Sequence, residues 1–188
     1  DGVLTPLGEE QTFTVRPDPF RGSIPSDIER LSQFQRKLTR LARATNAAVD
    51  IGNTTKSRLA ALRKALQEST APAPLRERAA ALWNQAEDLL IALRGDPEIA
   101  KRQEGQPPSI GERIGNIEDE QSLTTQPPTG THQQSYDTAA AEFTETLARL
   151  KQLVETDLRQ LEREVEATDA PYTPGRMPEW PTTQRPAP

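Results

Sequence analysis

The chain has 188 residues, of which 34% are hydrophobic and 4% aromatic, and its formal net charge is -5 at pH 7. This length suffices for one domain, and the low apolar content predicts a lean, elongated core of Leu, Ala and Ile. The sequence has no cysteine, which excludes disulfide frameworks and thiolate metal sites. It has one histidine. No apolar run approaches the roughly 20 residues that span a bilayer.

The first 22 residues lack a helical pattern. Residues 11–15 alternate polar and apolar side chains, and prolines follow at positions 17 and 19. This pattern predicts one β-strand, with an extended loop lying on a bundle as the alternative. Because one strand leaves its backbone groups unpaired, its partners would be missing from this chain or supplied by another molecule. Phe13 and Val15 are therefore candidate partner contacts.

A long helix is predicted to start at residues 25–29 and to run to about Glu68. Apolar or small residues recur along it with alternating spacings of four and three, which is typical of one face buried along a partner helix. The phase is kept across Gly52, so we predict one unbroken helix of about 60 Å, with a waist of small residues that accommodates a bulky partner side chain. The predicted seam comprises Phe34, Leu38, Leu41, Thr45, Ala48, Gly52, Thr55, Leu59, Leu62 and Leu66.

Two shorter helices are predicted next. The first follows the prolines at 72 and 74 and lies antiparallel to the long helix, with Leu75, Ala79, Leu82, Ala86, Leu89 and Leu93 on one face. Residues 96–108 are predicted to be a loop. Ser109 then caps a helix that carries Ile110, Ile114 and Ile117 on one side.

The last predicted helix is about as long as the first. Its apolar face slips in phase between Val154 and Leu158. The face comprises Tyr136, Ala140, Phe143, Leu147, Leu150, Val154, Leu158, Leu161 and Val165. Together the helices predict an all-α fold, an elongated antiparallel bundle of three to four helices with one N-terminal strand.

The last nineteen residues, 170–188, contain six prolines with Tyr172 and Trp180 between them. Such a segment favours extended, polyproline-like backbone and cannot build its own core. We expect Tyr172 and Trp180 to dock on the bundle or on a neighbouring molecule.

The charged residues do not indicate an active site. Acidic and basic side chains are interleaved along the helices, which is typical of a solvated surface, and a nucleic-acid platform would need a basic stripe with stacking aromatics. His132 is predicted to be a surface or cap histidine. The acids at 118–120 and at 162, 164 and 166 are predicted to be a solvated face. Asn53-Thr54-Thr55 matches the pattern for N-linked glycosylation, but it falls on the predicted buried waist, so we predict no glycosylation there. No catalytic, cofactor-binding or metal-binding residue is predicted.

The order of these pieces resembles one known family. The step from Phe13 through Pro19, followed by Ser26-Asp27 and a long helix with Asn46 and Ala47 near its middle, is similar to the C-terminal end of bacterial sortilin/VPS10-like proteins. These are also described as BNR/Asp-box, glycosyl-hydrolase-like proteins. The resemblance implies that β-propellers and a small β-sandwich precede a closing helical region. It implies no catalytic residue in this chain.

We therefore expect three regions: an orphan strand and linker that ends a β-sandwich (1–22), a helical bundle (23–168) and a proline-rich tail (169–188). The expected function is a non-catalytic structural or protein-interaction module at the C-terminus of a large extracytoplasmic bacterial protein, periplasmic, on the outer membrane surface or secreted. Its partner would be protein, the rest of the parent chain or a neighbouring subunit, without nucleic acid, cofactor or membrane span. Two alternatives remain: an accessory domain of an active glycoside hydrolase, and an independent helical adaptor that oligomerises.

Overall fold

The computed structural model describes residues 8–9, 11–15, 25–102 and 104–177. Within these ranges the regular structure is helical and no β-strand is present, so the predicted all-α bundle is confirmed. The helices are α1 (Pro25–Gln67), α2 (Ala73–Arg94), α3 (Pro97–Arg102), α4 (Ile110–Ser122), α5 (Gly130–Gln152), which continues through a π-helical segment (Leu153–Leu158), and α6 (Arg159–Glu166).

The helices form three rods. The first is α1, which runs through Gly52 without a break, as predicted. The second is made of α2 and α4, which lie end to end. A β-carbon on Gly111 of α4 would lie 2.9 Å from the carbonyl oxygen of Leu93 in α2. The third is α5 with the π segment and α6. Contacts along α1 show that the third rod runs parallel to it, from Phe34 beside Tyr136 to Arg58 bonded to Glu162.

The core follows the α1 seam. All ten residues of the predicted seam are buried, including the small residues at the waist. The bulky neighbour expected there is Leu90 of α2, which is 1% exposed and lies directly against Gly52. Asn53 points the other way: it is exposed, and its amide oxygen accepts a hydrogen bond of 3.2 Å from Arg94. The expectation that Asn53 is buried is wrong, because a helix turns each residue about 100° from the previous one.

The third rod shows a larger change of phase than the sequence predicts. From Ala139 its buried residues are spaced by four and three up to Leu153 and then step by five to Leu158, and the π segment absorbs the extra residue. The face before the step is also rotated: Thr146 is buried and Leu147 is 42% exposed. The prediction that Leu147 belongs to the core is therefore wrong.

The predicted loop 96–108 contains a short helix. Asp96 accepts backbone hydrogen bonds from Glu98 at 2.8 Å and from Ile99 at 3.4 Å. Pro97 occupies the first helical position, where its missing N–H costs nothing. These two residues explain why α3 forms, and they correct the loop prediction for Pro97–Arg102.

The predicted N-terminal strand is not formed. Residues 11–15 have no regular secondary structure, and no other strand exists among the described residues to pair with them. A strand needs a neighbour for its backbone groups, and this part of the chain supplies none.

Candidate partner-contact surfaces

Residues 11–15 carry two apolar side chains that are almost fully exposed. Phe13 is 86% exposed and Val15 is 82% exposed, and the polar residues between and before them are exposed as well. Phe13 and Val15 are two residues apart, so in an extended backbone their side chains would point to the same side. Neither side chain contributes to the hydrophobic core.

The start of the tail is held against the end of the bundle. Ala170 is buried in the core cluster, and Thr70 donates a hydrogen bond of 3.0 Å to the carboxylate of Asp169. The chain then reverses at Pro174-Gly175, where Gly175 has a φ of 89° and Arg176 N–H donates to the Thr173 carbonyl at 3.0 Å. This geometry is that of a type II turn, which needs glycine at its third position.

Arg176 fastens this turn. Its side chain is 7% exposed, its Nε lies 3.6 Å from a carboxylate oxygen of Glu166, and its guanidinium lies 5.3 Å from the centre of the Tyr172 ring. Tyr172 borders a small groove against the C-terminal end of α1, yet remains about half exposed. Trp180 lies outside the described residues.

The acids Glu162, Glu164 and Glu166 of the third rod each pair with an arginine. Glu162 bonds Arg58 at 2.5 Å, Glu164 accepts two hydrogen bonds from Arg78 at 2.7 and 2.9 Å, and Glu166 lies near Arg176. The hydrogen bonds from Arg78 lower the pKa of the Glu164 carboxyl, against the opposing effect of desolvation. Glu162 and Glu164 thus tie the third rod to α1 and α2.

His132 completes the cap of α5. Its backbone N–H donates to the Thr129 hydroxyl at 3.2 Å, and its Nδ1 accepts from the Thr129 N–H at 3.3 Å. Nδ1 also lies 3.0 Å from the Gln121 amide, and Nε2 lies 2.6 Å from the Glu120 carboxylate. Since Nδ1 accepts, we assign the ring proton to Nε2, which donates to Glu120. The predicted cap histidine is confirmed, but it is buried instead of lying on the surface.

An apolar patch lies where α1 faces the π segment. Ile51 and Leu147 are both between 40 and 50% exposed, and they border an open depression together with Val154. Lys151 and Glu155 flank it, and Nζ of Lys151 lies 3.9 Å from a carboxylate oxygen of Glu155. The patch is small compared with the area that a stable interface buries.

A depression of about 460 Å³ lies between the end of α2, the start of α4 and α5. Its floor includes Ile91 and Ile110, and its rim includes Glu142, Glu145 and Arg149. Glu142 already pairs with Arg113 at 3.4 Å. The rim groups do not form a nucleophile–base pair.

The N-terminal half of α1 carries a basic face that the sequence analysis missed. Arg36, Arg40 and Arg43 are exposed and follow a spacing of four and three, so they lie on one side of the helix, opposite the seam. α1 as a whole has nine Lys and Arg against three Asp and Glu, although the chain is net acidic. The signal was present in the spacing, but the interleaved charges of the whole chain obscured it.

No group of three or more His, Cys, Asp or Glu side chains that could hold a metal ion occurs in the described ranges. None of the helices described is both long and apolar enough to cross a membrane. Comparisons with protein families, with curated proteins and with solved structures give no match for this chain. The kinship with sortilin/VPS10-like proteins therefore stays a prediction from the sequence.

Proposed function

We propose that this chain is a non-catalytic interaction module, a rigid helical bundle whose N-terminal segment pairs with a β-sheet outside the described residues. The observation that carries the proposal is the exposure of Phe13 and Val15 beside a bundle that is complete without them. An alternating segment with two large apolar side chains on one side suits the edge of a sheet. The resemblance to sortilin/VPS10-like proteins supports a β-sandwich in a large extracytoplasmic bacterial protein as that sheet.

The ion pairing of the third rod supports a structural role. The acids Glu162 and Glu164 hold the rods together, and His132 holds a helix cap, so these three titratable side chains have structural partners. A carboxyl whose pKa is lowered by an arginine is a poor proton donor near neutral pH.

The proposal expects a reading frame longer than this 188-residue chain, and the experiment compares the chain with that longer product. Amide hydrogen exchange of residues 11–15 should be fast in the 188-residue chain and slowed at least tenfold in the longer product, because strand pairing protects backbone amides. Phe13→Asp with Val15→Asp should lower the stability of the longer product. Thr12→Asp with Thr14→Asp, on the opposite side of the segment, is the matched control. Fast exchange in both products would contradict the proposal.

The same reading frame separates the enzyme alternative. A β-propeller with a pair of carboxylates in its central pocket would favour an accessory domain of a glycoside hydrolase. The absence of any propeller would remove the proposed parent protein.

The tail is tested by two truncations. Removal of residues 170–188 deletes Ala170 and Arg176 from the bundle end and should lower stability by about 1–3 kcal/mol. Removal of residues 178–188 deletes Trp180 alone among the aromatic residues. If Trp180 docks on the bundle, the second truncation should also lower stability; if it docks on a partner, only affinity should fall.

An oligomerising adaptor is the second candidate: the apolar patch at Ile51, Leu147 and Val154 would supply a small, weak contact between copies. Light scattering that shows one mass from micromolar to millimolar concentration would contradict this candidate. A mass that rises with concentration, and that Leu147→Glu returns to the monomer value, would support it.

A further inference from the structure

The basic face of α1 is built from three arginines that the fold leaves available. Arg36, Arg40 and Arg43 span about 10 Å along the helix and are all exposed. Arg36 lies 3.6 Å from Glu29, with both side chains more than 60% exposed. Arg40 and Arg43 make no ion pair with any residue that the structure describes.

The cations elsewhere on the bundle show a contrast. In the C-terminal half of α1, Lys56 pairs with Glu87, and Arg58 pairs with Glu162 across helices. Those cations join neighbouring rods and are partly buried. Within the described residues, no hydrogen bond or ion pair joins Arg36, Arg40 or Arg43 to another rod, so these three arginines do not tie the bundle together.

A cleft of about 270 Å³ adjoins this face. Arg30 and Lys37 line it from α1, and Pro128 and Gln133 line it from the start of the third rod. No carboxylate is among its lining residues, although Arg30 also lies 3.7 Å from the Asp27 carboxylate on the same helix. The ammonium nitrogen of Lys37 lies 4.2 Å from the centre of the Tyr136 ring and 5.0 Å from the centre of the Phe34 ring, and these contacts hold the side chain in place. The cleft therefore extends the positive surface toward the loop before α5.

We propose that this basic face and the adjoining cleft, with the five cations Arg30, Arg36, Lys37, Arg40 and Arg43, bind an acidic segment of a partner protein through its carboxylates. Four of the five cations are arginines, whose planar guanidinium pairs with carboxylates through two parallel hydrogen bonds.

Other polyanions suit the face less well. A membrane surface is bound by helices that also insert large apolar side chains, and no large apolar residue of the N-terminal half of α1 is among the exposed ones. Single-stranded nucleic acid needs stacking aromatics, whereas Phe34 is buried and Tyr136 is partly buried. An acidic protein segment needs neither feature.

The test uses a fluorescein-labelled deca-glutamate peptide as the probe, with the full chain in low salt. Binding should weaken at least tenfold in the variant Arg36→Gln, Arg40→Gln, Arg43→Gln, and should fall steeply with added salt. The control variant Lys64→Gln, Arg149→Gln, Arg159→Gln changes the net charge equally at other exposed positions and should weaken binding less than twofold. Circular dichroism melting should be unchanged in both variants.

Three results would overturn the proposal. The first is equal weakening in the two variants, which would mean that only net charge matters. The second is tighter binding to phosphatidylglycerol vesicles or to single-stranded DNA than to the peptide at equal charge. The third is no peptide binding at low salt. The two proposals use different residues, so Phe13→Ser with Val15→Ser, which changes no charge, should leave peptide binding unchanged, and failure of one proposal does not decide the other.

Discussion

Leu90 of α2 occupies the space that a side chain at Gly52 of α1 would need. A β-carbon at Gly52 would lie 2.8 Å from Cδ2 of Leu90 and 3.2 Å from its Cγ. Leu90 is fully buried, so it cannot swing into solvent to make room. Glycine at position 52 is therefore a packing requirement, although it is unfavourable for the helix itself.

Gly52→Ala should destabilise the bundle, by up to about 2 kcal/mol. The substitution gains about 1 kcal/mol of helix propensity, but overpacking a well-filled core typically costs about 1–3 kcal/mol. In a Leu90→Ala background the contact is removed, and Gly52→Ala should then stabilise by about 1 kcal/mol. Urea denaturation of the four proteins measures this cycle.

Gly115→Ala is the control, because nothing lies within 4 Å of the added β-carbon in α4. It should raise stability by up to about 1 kcal/mol. A gain in stability for Gly52→Ala with Leu90 intact would contradict the packing argument.

Deletion of Thr156 should be tolerated, although single deletions in buried helices usually are not. Thr156 lies in the π segment, so its removal converts the five-residue step between Leu153 and Leu158 into an ordinary step of four. The thermal midpoint should stay within about 5 °C of the parent value.

Deletion of the exposed Thr54 in α1 is the comparison, because α1 has no extra residue to absorb it. The seam from Leu59 onward would rotate by about 100°, which should cost more than about 4 kcal/mol or abolish folding. Equal damage from both deletions would show that the π segment is not a simple insertion.

The Arg78–Glu164 pair should make stability depend on pH below neutrality. The pKa of Glu164 is lowered in the folded state from an ordinary value of 4.5, so its contribution is present above that value and is lost as pH falls through the folded pKa. Arg78→Gln should therefore lower the urea midpoint at pH 7, and the difference from the parent chain should shrink below about pH 4.5. Lys101→Gln, at an exposed pair on α3, should show no such trend.

His132→Ala should destabilise the chain by about 1–2 kcal/mol, because it leaves the Thr129 N–H and the buried Gln121 amide without their acceptor. His132→Gln should lose less than half as much, since glutamine at this position completes a capping box with threonine. Gln134→Ala, an exposed change one turn into α5, should stay within about 0.5 kcal/mol. A loss for His132→Ala no larger than for Gln134→Ala would contradict the role of the ring.

The candidate contact residues divide between what a local pattern can predict and what it cannot. Alternation of polar and apolar residues identified Phe13 and Val15, and their exposure is what an unpaired edge requires. The position of Arg176 beside Tyr172 was not predicted. Its partner Glu166 lies in α6, and Arg176 reaches it only because the turn at Pro174-Gly175 brings the tail back to that helix. The basic face at Arg36, Arg40 and Arg43 was predictable from its spacing of four and three. The net negative charge of the whole chain hid this local excess of basic residues.

The sequence by itself determined the long seam of α1, the antiparallel α2 and the cap at Ser109, because apolar spacing and capping residues act over one or two helical turns. Only the tertiary structure decided that Leu90, and not the other apolar residues of α2, meets Gly52, and that the third rod buries Thr146 in place of Leu147. Those outcomes depend on how whole helices rotate against one another, and that rotation follows from the combined packing of all three rods.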